Sequence, residues 1–204
     1  MTHPTEPPVL GPLDDEGRAL IFTDARTART FSGTPVSAEE LTGIWELAKW
    51  APTAGNTQPM RVLYVRSDDG RRRLLPHMSE GNREKVAAAP ATAVLAMDTD
   101  FHESLPRLAP HRPRTKDRFA DDAVRREAAR YNTILQAGYF ILAVRAAGLA
   151  AGPMQGFDGD GVDGEFFAGT PLRSVLLVNI GHPGPAAWHA RQERLADDEV
   201  ISWA

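Results

Sequence analysis

The chain has 204 residues and a mass of 22.2 kDa, which favours one domain or two small ones. Hydrophobic residues at 42% and charged residues at 25% exclude disorder of the whole chain. A net charge of −4 gives no general reason to seek nucleic acid or an anionic membrane, and zero Cys removes disulfides, thiolate nucleophiles and cysteine-ligated metal centres. No metal site is expected, and any redox chemistry belongs to a bound cofactor.

Residues 1–19, which hold Pro4, Pro7, Pro8, Gly11, Pro12 and Gly17, read as a flexible tail, because this composition resists regular structure. The amino terminus lacks a basic segment followed by an apolar run, so no secretory signal is expected. Residues 86–97 form the longest apolar stretch; Pro90 interrupts it and it is shorter than the ~18–20 residues that span a bilayer. A cytoplasmic protein with no membrane segment is expected, its domain running over residues 20–204.

The domain opens with an apolar patch, Leu20, Ile21 and Phe22, followed by the basic stretch Arg26-Thr27-Ala28-Arg29 and a turn around Gly33 and Pro35. Ser37 with Glu40 three residues later matches a capping box. Leu41, Ile44, Trp45 and Ala48 follow at helical spacing and predict one buried face; Pro52 closes the helix. Residues 61–65 read as a strand from Val62, Tyr64 and Val65. Short helices are expected over residues 70–75 and 83–88. Residues 91–97 read as a second strand, whose near-continuous apolar run suits a sheet covered on both faces.

Residues 98–119 show no clear period and hold Pro106, Pro110 and Pro113, so they read as a long loop or lid. A helix is expected from an N-cap at Asp121 or Asp122 to residue 147, with Tyr131, Ile134, Leu135, Gly138, Tyr139 and Leu142 at three- and four-residue steps and Gly148 at the C′ position. Residues 174–180 are the third clear strand. Isolated strands in a helix-rich order indicate an α+β or α/β layered sheet.

Three groups of residues carry possible chemistry. Pro52-Thr53-Ala54-Gly55-Asn56-Thr57-Gln58-Pro59 sets hydroxyl and amide groups between two prolines; it suits a polar planar ligand, or equally a turn that satisfies its own backbone. In Gly152-Pro153-Met154-Gln155-Gly156-Phe157-Asp158, glycines on either side of Pro153 permit close backbone approach, and a helix beginning near there would present N–H groups to an anion or an electron-rich ring nitrogen; a plain Gly-Pro turn has the same composition. The separated basic residues Arg26, Arg29, Lys85, Arg191 and Arg194 would suit a phosphate if they converge.

These segments resemble the nitroreductase family of flavin mononucleotide (FMN) enzymes. Arg26-Thr27-Ala28-Arg29-Thr30-Phe31 is similar to the family's Arg-Ser-x-Arg-x-Phe element, residues 52–59 to its Pro-Ser-Ser-x-Asn-x-Gln-Pro loop, and residues 153–158 to its Pro-x-Glu-Gly-Phe-Asp segment. Within that family, Asp24-Ala25-Arg26-Thr27, Ser79-Glu80-Gly81-Asn82, Gly152-Pro153-Met154 and Asn179-Ile180-Gly181 look most like malonic semialdehyde reductases of pyrimidine breakdown. The resemblance implies an α+β, three-layer fold with a central, mainly antiparallel sheet flanked by helices, in an intertwined homodimer with FMN between subunits. It implies Arg26, Thr27, Arg29, Arg191 and Arg194 at the phosphate or ribityl end, and Thr53 and Asn56 reaching the flavin from the other subunit. It also implies Asn82 and Lys85 at the ribityl chain and pyrimidine edge, with Pro153 beside them and the backbone N–H of Gln155 or Gly156 facing N5. Where many relatives carry a further Arg this chain has Ala25, and Gln155 replaces the common Glu.

The implied reaction passes a hydride from NADH or NADPH through flavin N5 to a small-molecule substrate, with malonic semialdehyde reduced to 3-hydroxypropionate as the first expectation. A broad nitro- or quinone reductase and a non-catalytic flavin-binding protein are the alternatives. No side chain is identified as a catalytic acid. Between residues 102 and 118 the lid carries five Lys or Arg against two acidic residues, and Arg107, Arg112 and Arg114 are candidate partners for an anionic substrate.

Overall fold

The computed structural model describes residues 10–204. Four strands form one antiparallel sheet: β1 (Met60–Val65), β2 (Ala91–Asp98), β3 (Ala150–Met154) and β4 (Leu172–Gly181), in the order β1-β2-β4-β3. Its α-helices are α1 (Asp15–Arg18), α2 (Ala38–Ala48), α3 (Asp68–Leu74), α4 (Glu80–Ala88), α5 (Leu105–Leu108), α6 (Asp122–Ala146), α7 (Gly159–Phe166) and α8 (Asp197–Val200).

Strand alternation splits the core into two layers. Ala91, Ala93 and Leu95 of β2, with Val178 and Ile180 of β4, face Leu41, Ile44 and Ala48 of α2 and Phe140, Ala143 and Val144 of α6. Val94 and Ala96 of β2, with Leu177 of β4, face Leu74 of α3, Val86 of α4 and Val162 of α7. The fold is therefore α+β, with three layers and a central antiparallel sheet. The two central strands are covered on both sides, as the apolar run in β2 required. Each fully buried Ile44, Leu95 or Phe140 side chain contributes about 1.5–3 kcal/mol relative to exposure.

The capping box forms in both directions, Glu40 N to Ser37 Oγ at 3.1 Å and Ser37 N to Glu40 Oε2 at 2.7 Å. Asp121 caps α6 by accepting from Val124 N at 3.0 Å, and Gly148 takes φ +76° just past its end, a conformation glycine adopts without steric penalty.

Several expectations change. The part of the expected tail covering residues 1–9 lies outside the described residues, but regular structure begins at Asp15: α1 continues into a wider helical turn at Ala19–Thr23. Residues 98–119 are a chain of short helical turns, Phe101–Ser104, Leu105–Leu108 and Pro113–Phe119. Phe101 and Leu105 there bury themselves against Ala129 of α6, so this segment has a small core of its own. Gly152, Pro153 and Met154, which open the segment read as a Gly-Pro turn or helix start, belong to an edge strand paired to β4 in the register Gly152↔Asn179 and Pro153↔Val178. An edge tolerates proline because a strand needs only one neighbour.

The apolar stripe of α6 lies on its open side. Tyr131, Ile134, Leu135 and Tyr139 are each more than 40% exposed, while the buried face is Ala129, Asn132, Thr133, Gln136, Ala137, Phe140, Ala143 and Val144. Alanines let the helix approach the sheet closely, and the buried amides serve the neighbouring loop. Among the described residues no helix is long and apolar enough to cross a membrane.

Candidate functional site

A cleft of about 450 Å³ opens at the edge of the sheet beside β3. It is lined by Arg26, Thr27, Arg29, Asn82, Lys85, Pro153, Arg191 and Arg194 of the residues expected from sequence, together with Arg145, Met154 and His189, which were not expected. Among the described residues six Lys or Arg line it and no Asp or Glu does.

The amino-terminal segment reaches the cleft by pairing on both flanks. Ala28 N donates to Ala151 O at 3.0 Å, Arg29 N to Ala187 O at 3.1 Å and Ser32 N to His182 O at 2.9 Å. Residues 28–32 thus run between β3 and the chain that follows β4, which brings Arg26 and Arg29 beside Arg191. A Cβ at Gly152 would stand 3.0 Å from Ala28 O, so only glycine fits that crossing without displacement. Arg26 Nη1 donates to the carbonyls of Asp24 and Ala25 at 3.1 and 3.2 Å; Arg191 Nη2 donates to those of Thr23 and Ala25. Among the described residues no cleft cation is paired with a carboxylate, whereas Arg61, Arg71, Arg73 and Arg125 elsewhere all are.

The opposite wall is a hydrogen-bonded relay from α4 to β4. Gly156 O accepts from Ser79 N and from Asn82 Nδ2, both at 3.1 Å. Lys85 Nζ donates to Asn82 Oδ1 at 3.1 Å. Buried Asn179 donates from Nδ2 to Lys85 O at 3.0 Å and accepts from Thr92 Oγ1 at 2.8 Å. Asn82 and Lys85 are therefore fixed as a unit on the loop that carries Gln155 and Gly156. Neither the Gln155 nor the Gly156 N–H donates to another group among the described residues. Asp158 then caps α7 by accepting from Gly161 N at 3.1 Å, so the helix expected near this segment starts after it.

Thr53 and Asn56 are not among the residues lining this cleft. Their loop is held by α6: Ala54 N donates to Asn132 Oδ1 at 2.8 Å and Met60 N to Gln136 Oε1 at 3.0 Å. Thr53 Oγ1 accepts from Gln58 N at 3.2 Å, and Asn56 Nδ2 donates to Leu108 O at 3.0 Å. Gly55, Asn56 and Gln58 all have positive φ, a costly arrangement for the two non-glycine residues, and these anchors hold it. Arg107, Arg112 and Arg114 are exposed and also stand outside the cleft; Arg112 and Arg114 border a separate shallow depression with Arg118. Lys116 is not free, because it donates to Glu103 Oε2 at 2.5 Å and holds the Glu103 carboxyl below its ordinary value.

The cleft suits an elongated ligand with an anionic end: guanidiniums that no carboxylate compensates among the described residues at one side, and a lysine and an amide at the other. FMN has that distribution. The nitroreductase family model matches residues 23–182. A Streptomyces coelicolor protein provisionally named NADH dehydrogenase/NAD(P)H nitroreductase is 59% identical over 201 residues, covering 96% of this chain and 99% of that protein. Among solved structures, a Bacillus subtilis protein provisionally assigned as a nitroreductase superposes with a TM-score of 0.84 at 22% identity, over 93% of this chain and 99% of that one. A similarly assigned protein from Exiguobacterium sibiricum, solved in complex with FMN, gives 0.81 at 22% identity, over 96% and 100%.

Proposed function

The chain belongs to the nitroreductase family, and from that premise we propose that it is an FMN-dependent oxidoreductase fed by NADH or NADPH. The observation that carries the proposal is the cleft: cations without a carboxylate, built from separated segments of the chain. When bound, FMN supplies a two-electron carrier that takes hydride from the nicotinamide and gives it to an oxidised acceptor.

The chain's residues position and polarise. Arg26, Thr27, Arg29, Arg191 and Arg194 hold the phosphate end, guanidinium forks matching phosphate oxygens. Asn82 and Lys85 meet the ribityl chain and pyrimidine edge, where the Lys85 ammonium stabilises negative charge; a charge-assisted hydrogen bond there is worth roughly 1.5–3 kcal/mol. Pro153 shapes the wall, and the Gln155 or Gly156 N–H turns to the central ring. With Gln155 where relatives carry a carboxylate, one negative charge is missing near that ring.

The working unit in this reading is a homodimer. It is supported by the exposed apolar face of α6, Tyr131, Ile134, Leu135 and Tyr139, and by the loop of Thr53 and Asn56, which stands outside the basic cleft of its own subunit. The partner subunit's Thr53 and the partner's Asn56 complete each site, and residues 98–119 act as its lid.

Nitro compounds and quinones are the acceptors that fit the family. A second reading, reduction of malonic semialdehyde to 3-hydroxypropionate with one hydride and one proton, is favoured by the exposed lid cations Arg107 and Arg112, which pair with no carboxylate among the described residues; Arg114 lies 3.8 Å from Asp117. Comparing kcat/KM for nitrofurazone, menadione and malonic semialdehyde separates the two. Arg112→Ala should raise KM for the aldehyde acid and leave KM for menadione unchanged; equal effects on both remove the lid from substrate recognition. The test of the main reading is the absorption spectrum of the FMN-reconstituted protein before and after anaerobic NAD(P)H. Bleaching is expected. A yellow protein that does not bleach is a flavin carrier, and a protein that takes up no FMN refutes the cofactor.

A further inference from the structure

Arg145 belongs to none of the motifs, yet it enters the basic cleft from the last turn of α6. It also lines the apolar pocket of about 240 Å³ alongside, formed with Leu20, Leu149 and Trp188. Its Nη1 donates to Ile21 O at 3.1 Å. Its Nε is buried and has no partner among the described residues, although buried guanidinium donors are ordinarily all bonded.

The surroundings deepen the anomaly. Burial first, then the charge of nearby Arg191, disfavours the protonated guanidinium. Arg26, Arg145 and Arg191 all hang on carbonyls of residues 21–25, at the C-terminal end of the helical turn Ala19–Thr23. Those carbonyls orient the three side chains but carry only partial charge, and among the described residues no acidic residue lines the cleft to neutralise them. A fold that clusters guanidiniums at one cleft, with one donor of Arg145 left unpartnered, is complementary to a multiply charged anion.

We propose that Arg145 is a phosphate-binding residue of this cleft, its guanidinium joining those of Arg26 and Arg191 on the phosphate monoester of FMN. It stands in for the arginine that this chain lacks at Ala25. The inference rests on reading the cleft as the FMN site. It assigns Arg145 a role toward the phosphate alone and none toward the isoalloxazine ring.

Riboflavin, which is FMN without the phosphate, separates these. Full-length apoprotein is titrated with FMN and with riboflavin, following flavin fluorescence, for wild type, Arg145→Gln and Arg145→Lys. Arg145→Gln should weaken FMN binding about ten- to a hundredfold and leave riboflavin binding within about twofold; Arg145→Lys, with charge but no fork, should fall between. Inorganic phosphate should compete with FMN on wild type and not with riboflavin. Unchanged FMN affinity in Arg145→Gln, or equal losses for both flavins, overturns the proposal while the FMN site stands. Wild type binding neither flavin overturns the site itself and this role with it. Should Arg145→Gln not fold, Arg145→Lys decides: a loss confined to FMN supports the role, and unchanged FMN binding overturns it.

Discussion

The Gly156 carbonyl holds Asn82, which lines the cleft, and Gly156→Ala tests that support together with the stability of the fold. An added methyl would lie 2.5 Å from Ser79 Oγ and 2.6 Å from Asn82 Nδ2, far inside van der Waals contact. Relief requires Asn82 to swing away, which breaks its bond to Gly156 O and its bond from Lys85 Nζ, each 3.1 Å long. At about 1 kcal/mol apiece the loss is about 2 kcal/mol. The φ of Gly156 is not in the left-handed region, so alanine returns about 0.4–1 kcal/mol by restricting the unfolded chain. The net expectation is about 1–2 kcal/mol of destabilisation, read as a lower urea midpoint at unchanged slope. With Asn82 and Lys85 away from the phosphate end, as proposed, FMN and riboflavin should weaken together, by up to about tenfold. An unchanged midpoint with unchanged affinity for both flavins refutes the reasoning.

Gln136 is buried, and its Oε1 is bonded to Met60 N. Gln136→Leu leaves that N–H unpaired inside the core and should cost about 1–3 kcal/mol in a urea titration; a shift under about 0.5 kcal/mol would mean the N–H finds water. The Ser37 backbone N–H, then its hydroxyl, hold the Glu40 carboxyl below its ordinary value, so its capping contribution is present above the unfolded glutamate pKa of about 4.3 and is lost as pH falls through the depressed folded one. The melting-temperature gap between wild type and Glu40→Ala should therefore be full at neutral pH and narrow in acid; a gap that widens in acid contradicts the cap.

Local chemistry made much of the chain legible from its letters. The capping box at Ser37 and Glu40, the Asp121 cap with Gly148 at the other end of α6, and the apolar run of β2 each depend on neighbours within a few residues. The motif segments likewise specify residues in contiguous stretches, which is why Arg26, Arg29 and Pro153, and Asn82 of the Ser79-Glu80-Gly81-Asn82 stretch, could be named before any fold was known. Strand β3 was missed because Gly152 and Pro153 have turn propensity, and only the partner β4 and the close-packed Ala28 carbonyl make an extended edge the lower-energy choice.

The periodicity of α6 predicted a helix but not which side meets the sheet. Period is a property of one helix, whereas burial depends on what packs against it; small alanines and two loop-anchoring amides won the inner face, leaving Tyr131, Ile134, Leu135 and Tyr139 outside. The convergence of Arg145 on the cleft depends on contacts more than a hundred residues apart in sequence, such as that with Ile21. Sequence by itself determined the elements and the chemistry of the motifs, because both are encoded locally. Tertiary structure alone decided which charges meet, because electrostatic interaction depends on distance in space, and only the folded chain sets that distance.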